Sequence, residues 1–336
     1  MDNNERKLFW DKLNSVDGKD LVADYTEIVK TITYPKYLFR FRPMTEFSLD
    51  NLRTNTLYFS NAADYDDPFD SYIHIDKKQL SEKLDSVLKS FEDVEKIKMV
   101  SKQIIGTEIT DEGLRQIDSF GKETMMAIVD RVLKNVRFSI RENDKSVCFS
   151  EDSTNRSLWL KYAQNHRGYC LVYDIEDLNN CIIGNKDWVT QLNNNELVTL
   201  YPVYYSNEKL DATQYIELII ALIVIEELER INNPYASFFR AKNEELGNGK
   251  WWSEKIALIK EYAHNQDKEW RALVTTTVKG TYTKTVKPYA IIFGLRTTET
   301  DKVILKALAK EAGIERIYQA TIDDNDELVY QELIED

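Results

Sequence analysis

Short aromatic and aliphatic runs, each of strand length, recur between residues 37 and 320, and stretches of helical period separate them. Strands this short are not stable in isolation. Runs far apart in the chain must therefore pair in one sheet, with the intervening helices packed against it. The strand candidates are Tyr37–Pro43, Thr56–Ser60, Val147–Ser150, Tyr169–Tyr173, Leu197–Tyr205 around Pro202, Trp270–Val274, Tyr289–Phe293 and Ile317–Ala320. Aromatic and β-branched residues dominate them, and turn formers bound them. Residues 5–32 read as an amphipathic helical lead-in, and Ser48 as the cap of a short helix carrying Leu49 and Leu52. Helical period returns over 77–140, broken near Gly106 and Gly113, and again at Leu158–Ala163, 211–232, 251–263 and 299–312. The pattern predicts an α+β (mixed α/β) fold: a central mixed sheet with a cleft, a helical insertion at about 77–140 and a helical segment at about 211–263. Residues 1–34 form the helical lead-in and 35–332 one domain.

Of the 336 residues, 43% are hydrophobic and 30% charged, which is enough apolar material for a real core. The net charge of −13 disfavours nucleic acid as the main ligand, because proteins that grip phosphate backbones are usually basic. The three cysteines, Cys148, Cys170 and Cys181, show no CxxC spacing, so neither a disulfide framework nor a zinc site is expected. Cys148 and Cys170 lie in strand-like runs and read as buried free thiols. The polar start, Met1–Arg6, has no signal-peptide core. The longest apolar run, Ile216–Glu226, contains Glu217 and is about half a membrane span. The expected address is the cytoplasm, with no membrane partner.

Four groups of residues can carry chemistry. Arg40 and Arg42, at i and i+2 of a strand, point to one face. They are either an anion clamp for phosphate or carboxylate, or members of internal ion pairs with Asp67, Asp70 or Glu269. The acidic loop Asp64, Asp66, Asp67 and Asp70 is either a divalent-cation site or, as we prefer, a tight turn whose Asp70 pairs with an arginine. Trp159, Tyr162 and His166 fall at helical spacing on one stripe. As function they offer an aromatic platform and a proton donor; as structure, Trp159 above all, they are core. Glu269 and Arg271 share a strand face, as a salt bridge or as a carboxylate held at the mouth of a sheet cleft, where it can bind a ribose hydroxyl or act as a base.

The order of these motifs resembles a bacterial family known as domain of unknown function twenty-nine seventy-one. The matching residues are Phe39-Arg40-Phe41-Arg42, then Leu57–Ser60 with Asp67–Asp70, then Cys148-Phe149-Ser150. Trp159, Tyr162-Ala163, His166 and Gly168 follow, and Glu269-Trp270-Arg271 closes the series. The resemblance runs from about residue 37 to 332. Asp66 stands where the family usually has Asn, His264 where it has Trp, and Asp267 where it has Glu. Membership implies a bacterial protein linked to stress or phage defence, without an assigned activity.

The chain is also similar, in residue order and strand context, to the ADP-ribosyltransferase superfamily, which uses an early Arg or His, a middle Ser or Tyr and a late Glu around an NAD cleft. That similarity implies an NAD- or nucleotide-handling enzyme, a transferase or NAD glycohydrolase with NAD as substrate. Arg40 and Arg42 would hold phosphate or ribose, Tyr162 or Tyr58 and Trp159 would supply stacking, and Arg271 would line the ligand side. Glu269, with Ser150, Tyr162 and His166, would form the catalytic set. Two other readings stay open: a non-catalytic sensor that binds a protein partner, and a metal-dependent phosphoesterase built on Asp64–Asp70 and His74.

Overall fold

A computed structural model describes residues 1–82, 127, 129–179, 199–230, 249–276 and 282–333. The expected mixed sheet is there, and among the described residues it has ten strands. In chain order the strands are β1 (Tyr37–Arg42), β2 (Thr56–Asn61), β3 (Asp144–Ser150), β4 (Tyr169–Asp174), β5 (Thr199–Pro202), β6 (Tyr204–Ser206), β7 (Ile259–Glu261), β8 (Glu269–Thr275), β9 (Tyr282–Thr285), β10 (Ala290–Phe293), β11 (Arg316–Ile322) and β12 (Leu328–Glu332). The main path runs β12-β11-β10-β4-β1-β3-β2-β9; β8 lies on the other edge of β3, with β5 beyond it. β10 and β11 pair in parallel and the remaining neighbours in the large sheet antiparallel. β6 and β7 form a separate parallel pair.

The sheet forks at β3. On one edge β8 pairs with β3 along its whole length, from Asp144↔Thr275 to Ser150↔Glu269. The opposite edge is shared: β1 touches it at Phe39↔Ser150, and β2 at Ser60↔Ser146 and Asn61↔Lys145. Between those contacts Val147–Phe149 face an opening. The carbonyl of Cys148 there accepts a hydrogen bond from Arg40 Nη1 at 3.2 Å. An edge left open in a sheet needs its polar groups satisfied by something else, and the Arg40 guanidinium fills that role.

Apolar alternation accounts for the core on both faces of the sheet. Leu38, Val147, Phe149, Leu171, Trp270, Ala272, Ile291 and Phe293 are buried on one side, under helix Glu299–Glu311. Phe41, Cys170, Val172 and Ile292 are buried on the other, under helix Arg156–Tyr162, whose Trp159 packs on Phe41. The lead-in is two helices, Asn3–Ser15 and Leu21–Val29. Their Phe9, Trp10, Leu13 and Ile28 pack on Tyr201, Val203 and Tyr205. Fully buried Arg6 donates to the carbonyls of Val203 (2.7 Å) and Glu269 (2.8 Å) and to the Glu151 carboxylate (2.6 Å), tying the lead-in to the first residue of β8.

Several expectations are corrected. The short helix after β1 (Glu46–Arg53) is capped by Thr45, whose Oγ1 accepts the Ser48 N–H, not by Ser48. The helix expected over 251–263 is only Trp252–Ala257; from Ile259 the chain pairs with β6 instead, a tertiary override of helical propensity. The strand expected over 197–205 divides at Val203 into β5 and β6, just after Pro202, which has no N–H to give to a ladder. Most of the 77–140 insertion, the 231–248 stretch and Cys181 lie outside the described residues. Among the described residues no helix is long and apolar enough to cross a membrane.

Candidate functional site

Pairing register decides which side chains can meet. Directly opposed residues in an antiparallel ladder share a face, and neighbours along a strand alternate. Phe39 opposes Ser150 and Ser150 opposes Glu269, so these three share a face with Cys148 and Arg271. Arg40 and Arg42 alternate to the other face. The two sets meet because the sheet is open at the fork, where a cavity of about 280 Å³ is lined by Arg40, Arg42, Cys148, Ser150, Glu269 and Arg271. Helix Arg156–Tyr162 contributes Leu158, Lys161 and Tyr162; the acidic loop contributes Asp64–Asp67 and Asp70; and the stretch before β8 contributes Lys260, His264 and Asp267.

The β8 side of this cavity is a closed ionic network. Arg271 makes a two-pronged pair with Asp70 (2.8 and 2.6 Å), donates from Nε to Glu269 Oε1 (2.7 Å) and reaches the Ala257 carbonyl (2.6 Å). Lys260 Nζ bonds the other oxygen of Glu269 at 2.9 Å and lies 3.4 Å from Asp70. Burial raises the pKa of Glu269, but Arg271 and then Lys260 outweigh it and hold this carboxyl well below the usual carboxylate range. Asp70 is lowered in the same way, with Arg271 overcoming burial. Two acids and two bases thus neutralise one another, and Glu269 stays ionised.

The β1 side differs. Among the described residues neither Arg40 nor Arg42 makes an ion pair. Arg40 has the Cys148 carbonyl and the Phe149 ring, 5.9 Å from its guanidinium carbon. Arg42 lies 5.8 Å from the Phe47 ring centre, and its buried Nη2 has no hydrogen-bond partner. Burial, and then the like charge of Arg42, push Arg40 down to about 10. Two cations side by side without a counterion are a costly arrangement unless something anionic joins them. The internal pairs weighed from the sequence for these arginines do not form: Asp70 and Glu269 are taken by β8, and Asp67 accepts the Phe69 N–H at 2.8 Å.

The remaining sequence candidates fall into two groups. Tyr162, 41% exposed, offers its ring to the cavity. Ser150 lines it too, but its hydroxyl donates to the Asp267 carbonyl (2.7 Å) and accepts the Asp152 N–H (3.0 Å), so it fastens the end of β3 to the turn before β8. Tyr58, Trp159 and His166 are not among the lining residues. Tyr58 packs edge-on against Phe47. Trp159 is fully buried, donates to the Ser153 carbonyl (2.8 Å) and stacks on His166 with ring centres 5.5 Å apart. The single helical stripe expected for Trp159, Tyr162 and His166 is corrected: the helix ends at Tyr162, and Gln164, Asn165 and His166 all take positive φ, turning the chain back toward β4. Gly168 is required there, because a Cβ on it would lie 2.2 Å from the Arg42 carbonyl.

Sequence reasoning missed other lining residues. Cys148, expected to be buried, is half-buried and lines the cavity; burial and then the nearby Glu269 charge push its thiol up to about 12. The alternation Ser146, Cys148, Ser150 placed it on the face of Ser150, and the pairing of β3 with β8 adds Glu269 to that face. Lys260 gave no signal, since its stretch reads as helix. His264 and Asp267 were visible as departures from the family pattern, yet nothing in the sequence placed them in a cavity. No group of three or more potential metal ligands assembles among the described residues.

Residues 158–272 match the family described as Protein of unknown function (DUF2971). The matched segment begins in the helix that covers the cavity and ends one residue past Arg271, so it contains Tyr162, Lys260, Asp267 and Glu269 but not β1. No curated protein and no solved structure matches the chain.

Proposed function

We propose that this chain binds a phosphate-bearing nucleotide in the fork cavity and acts on it at the ribose, as an NAD- or nucleotide-handling enzyme. The observation that carries this reading is the pair Arg40 and Arg42, half-buried, facing the cavity and without an anionic partner among the described residues. Guanidinium groups match phosphate oxygens in a two-pronged geometry, so a phosphate supplies the missing counterion. The acids of the rim, Asp64 and Asp66, are exposed, and solvent screens them. Tyr162 provides a ring for a base, and Glu269 a carboxylate fixed in its ionised form. A fixed negative charge beside a ribose carbon that becomes cationic as its N-glycosidic bond breaks is preorganised stabilisation. The late Glu and early Arg are the residues to which the resemblance to ADP-ribosyltransferases assigns catalysis and ligand binding.

Thermal unfolding with NAD, ADP-ribose, AMP and ATP, each against adenosine, tests the binding. A ligand at 100 times its Kd stabilises by about 2.7 kcal/mol. We expect phosphorylated ligands to raise the Tm and adenosine to leave it unchanged. Equal stabilisation by adenosine would remove the arginines from ligand recognition.

One observation favours a second, non-catalytic reading, a nucleotide sensor. Both oxygens of Glu269 already hold cations, and the Ser150 hydroxyl is committed to backbone groups. Under that reading the same Tm shifts occur without turnover of any ligand. The metal-dependent phosphoesterase gains nothing: Asp70 is bound to Arg271, and His74 is not among the residues lining the cavity.

A further inference from the structure

Glu269 is not alone in the cavity. Asp267, two residues earlier, lines it as well, and its surroundings differ. Its Oδ2 lies 3.7 Å from Nδ1 of His264, which is 40% exposed and also lines the cavity. The charged groups around the Asp267 carboxyl are Lys260, Glu269, His264 and Lys161. Lys260 makes its close contacts to Glu269 and Asp70, and Lys161 lies 3.4 Å from Asp66. Burial, with Glu269 adding to it, raises the pKa of Asp267 from its ordinary value despite Lys260. A phosphate arriving at Arg40 and Arg42 adds negative charge to the same cavity and pushes it further up. Two carboxyls in one cavity, one held by Arg271 and Lys260 and the other with only His264 within ion-pair distance, are the arrangement by which one site supplies both a charge stabiliser and an acid.

Resting on the nucleotide reading above, we infer that the substrate is a nucleoside 5′-monophosphate with a neutral base, hydrolysed at its N-glycosidic bond with Asp267 as proton donor. The choice follows from leaving-group chemistry. Nicotinamide departs from NAD as a neutral molecule and needs no proton, whereas an ordinary base leaves readily only when protonated. A cavity built solely for NAD has no use for a second carboxyl that, among the described residues, no lysine or arginine pairs with and that has only His264 within ion-pair distance. Its volume of about 280 Å³ is at the small end of ligand pockets. In the reaction the C1′–N bond breaks and its electron pair goes to the base, which takes the Asp267 proton. Glu269 faces the cationic ribose. Water adds to C1′ and returns a proton to Asp267, with His264 passing protons to solvent. The products are ribose 5-phosphate and the free base.

The test uses the full chain with AMP, GMP, CMP, UMP, NAD and 7-methylguanosine monophosphate, read by chromatography for released base and by Tm for binding. The methylated base is already cationic and leaves without a proton. We expect base release from at least one ordinary monophosphate. Asp267→Asn should lower that release by about 100-fold or more, as loss of a general acid does, with the Tm shift intact and release of 7-methylguanine unchanged. A Tm shift without base release from any monophosphate overturns the inference and leaves the nucleotide reading standing. So does ordinary base release that Asp267→Asn does not reduce, or an equal loss on the methylated substrate. No Tm shift with any nucleotide overturns the nucleotide reading itself.

Discussion

Strands β8 and β1 bring arginines to the same cavity and leave them in opposite electrostatic states. Arg271 is 1% exposed and has a carboxylate or carbonyl on each side of its guanidinium. Among the described residues Arg40 and Arg42 have a backbone carbonyl, aromatic rings and, beside Arg42, the Tyr169 hydroxyl, but no anion. Asp70 and Glu269 sit close enough to saturate Arg271 and are used up by it. The contrast separates architecture from recognition. A buried ion is tolerated where the fold supplies its partners, and where it does not, the partner is expected from outside.

The largest effect should come from breaking the closed side. Arg271→Met strands Asp70 and Glu269 in the interior with Lys260 as their one remaining cation. Removing one member of a buried ionic group costs about 3–5 kcal/mol, measured as a lower urea midpoint. A loss below about 1 kcal/mol would mean that the network is not what holds β8 to the acidic loop.

The next effect uses a carboxyl at the far end of the β3–β8 ladder. Asp144 is buried, with the Thr275 hydroxyl on Oδ1 at 2.9 Å, no hydrogen-bond partner for Oδ2, and the Glu254 carboxylate nearby. Burial, unopposed by any cation of the kind that lowers Glu269, pushes it up to about 7 from 3.8. A raised carboxyl contributes stability that is fully present below its ordinary pKa. That stability is lost as pH rises toward 7, because the folded protein resists giving up the proton. Unfolding free energy should therefore fall by on the order of 3–4 kcal/mol between about pH 4 and pH 7 from this group, and Asp144→Asn should flatten that slope. A slope unchanged in the variant would show that Asp144 is ionised in the folded chain.

The smallest effect is the most telling for the contrast. Arg42→Met removes a charge that has no anionic partner, so stability should change by less than about 1 kcal/mol, while stabilisation by phosphorylated nucleotides disappears. If Arg42→Met cost as much stability as Arg271→Met, the two strands would not differ in kind. If it left nucleotide stabilisation intact, the anion would not sit at β1.

Local pattern determined a good deal. Period and turn chemistry marked β1, β2, β4, β10 and the Glu299–Glu311 helix, because each follows from alternation or a cap within a few residues. The motif order pointed to the family that matches residues 158–272. The i, i+2 spacing put Arg40 with Arg42, and Glu269 with Arg271, on shared faces. Other features were not readable locally. β9 exists through a partner far away in sequence, and β12 as the return arm of a hairpin with β11. His166 left its expected stripe because three positive-φ residues, required by the return to β4, reversed the chain. Above all, strand parity places Arg40 and Glu269 on opposite faces of the sheet, and no sequence period joins them. They meet because β3 gives one edge to β8 and divides the other between β1 and β2. Which strand pairs with which is a long-range choice that closes large loops, so it belongs to the tertiary structure, and the cavity with it.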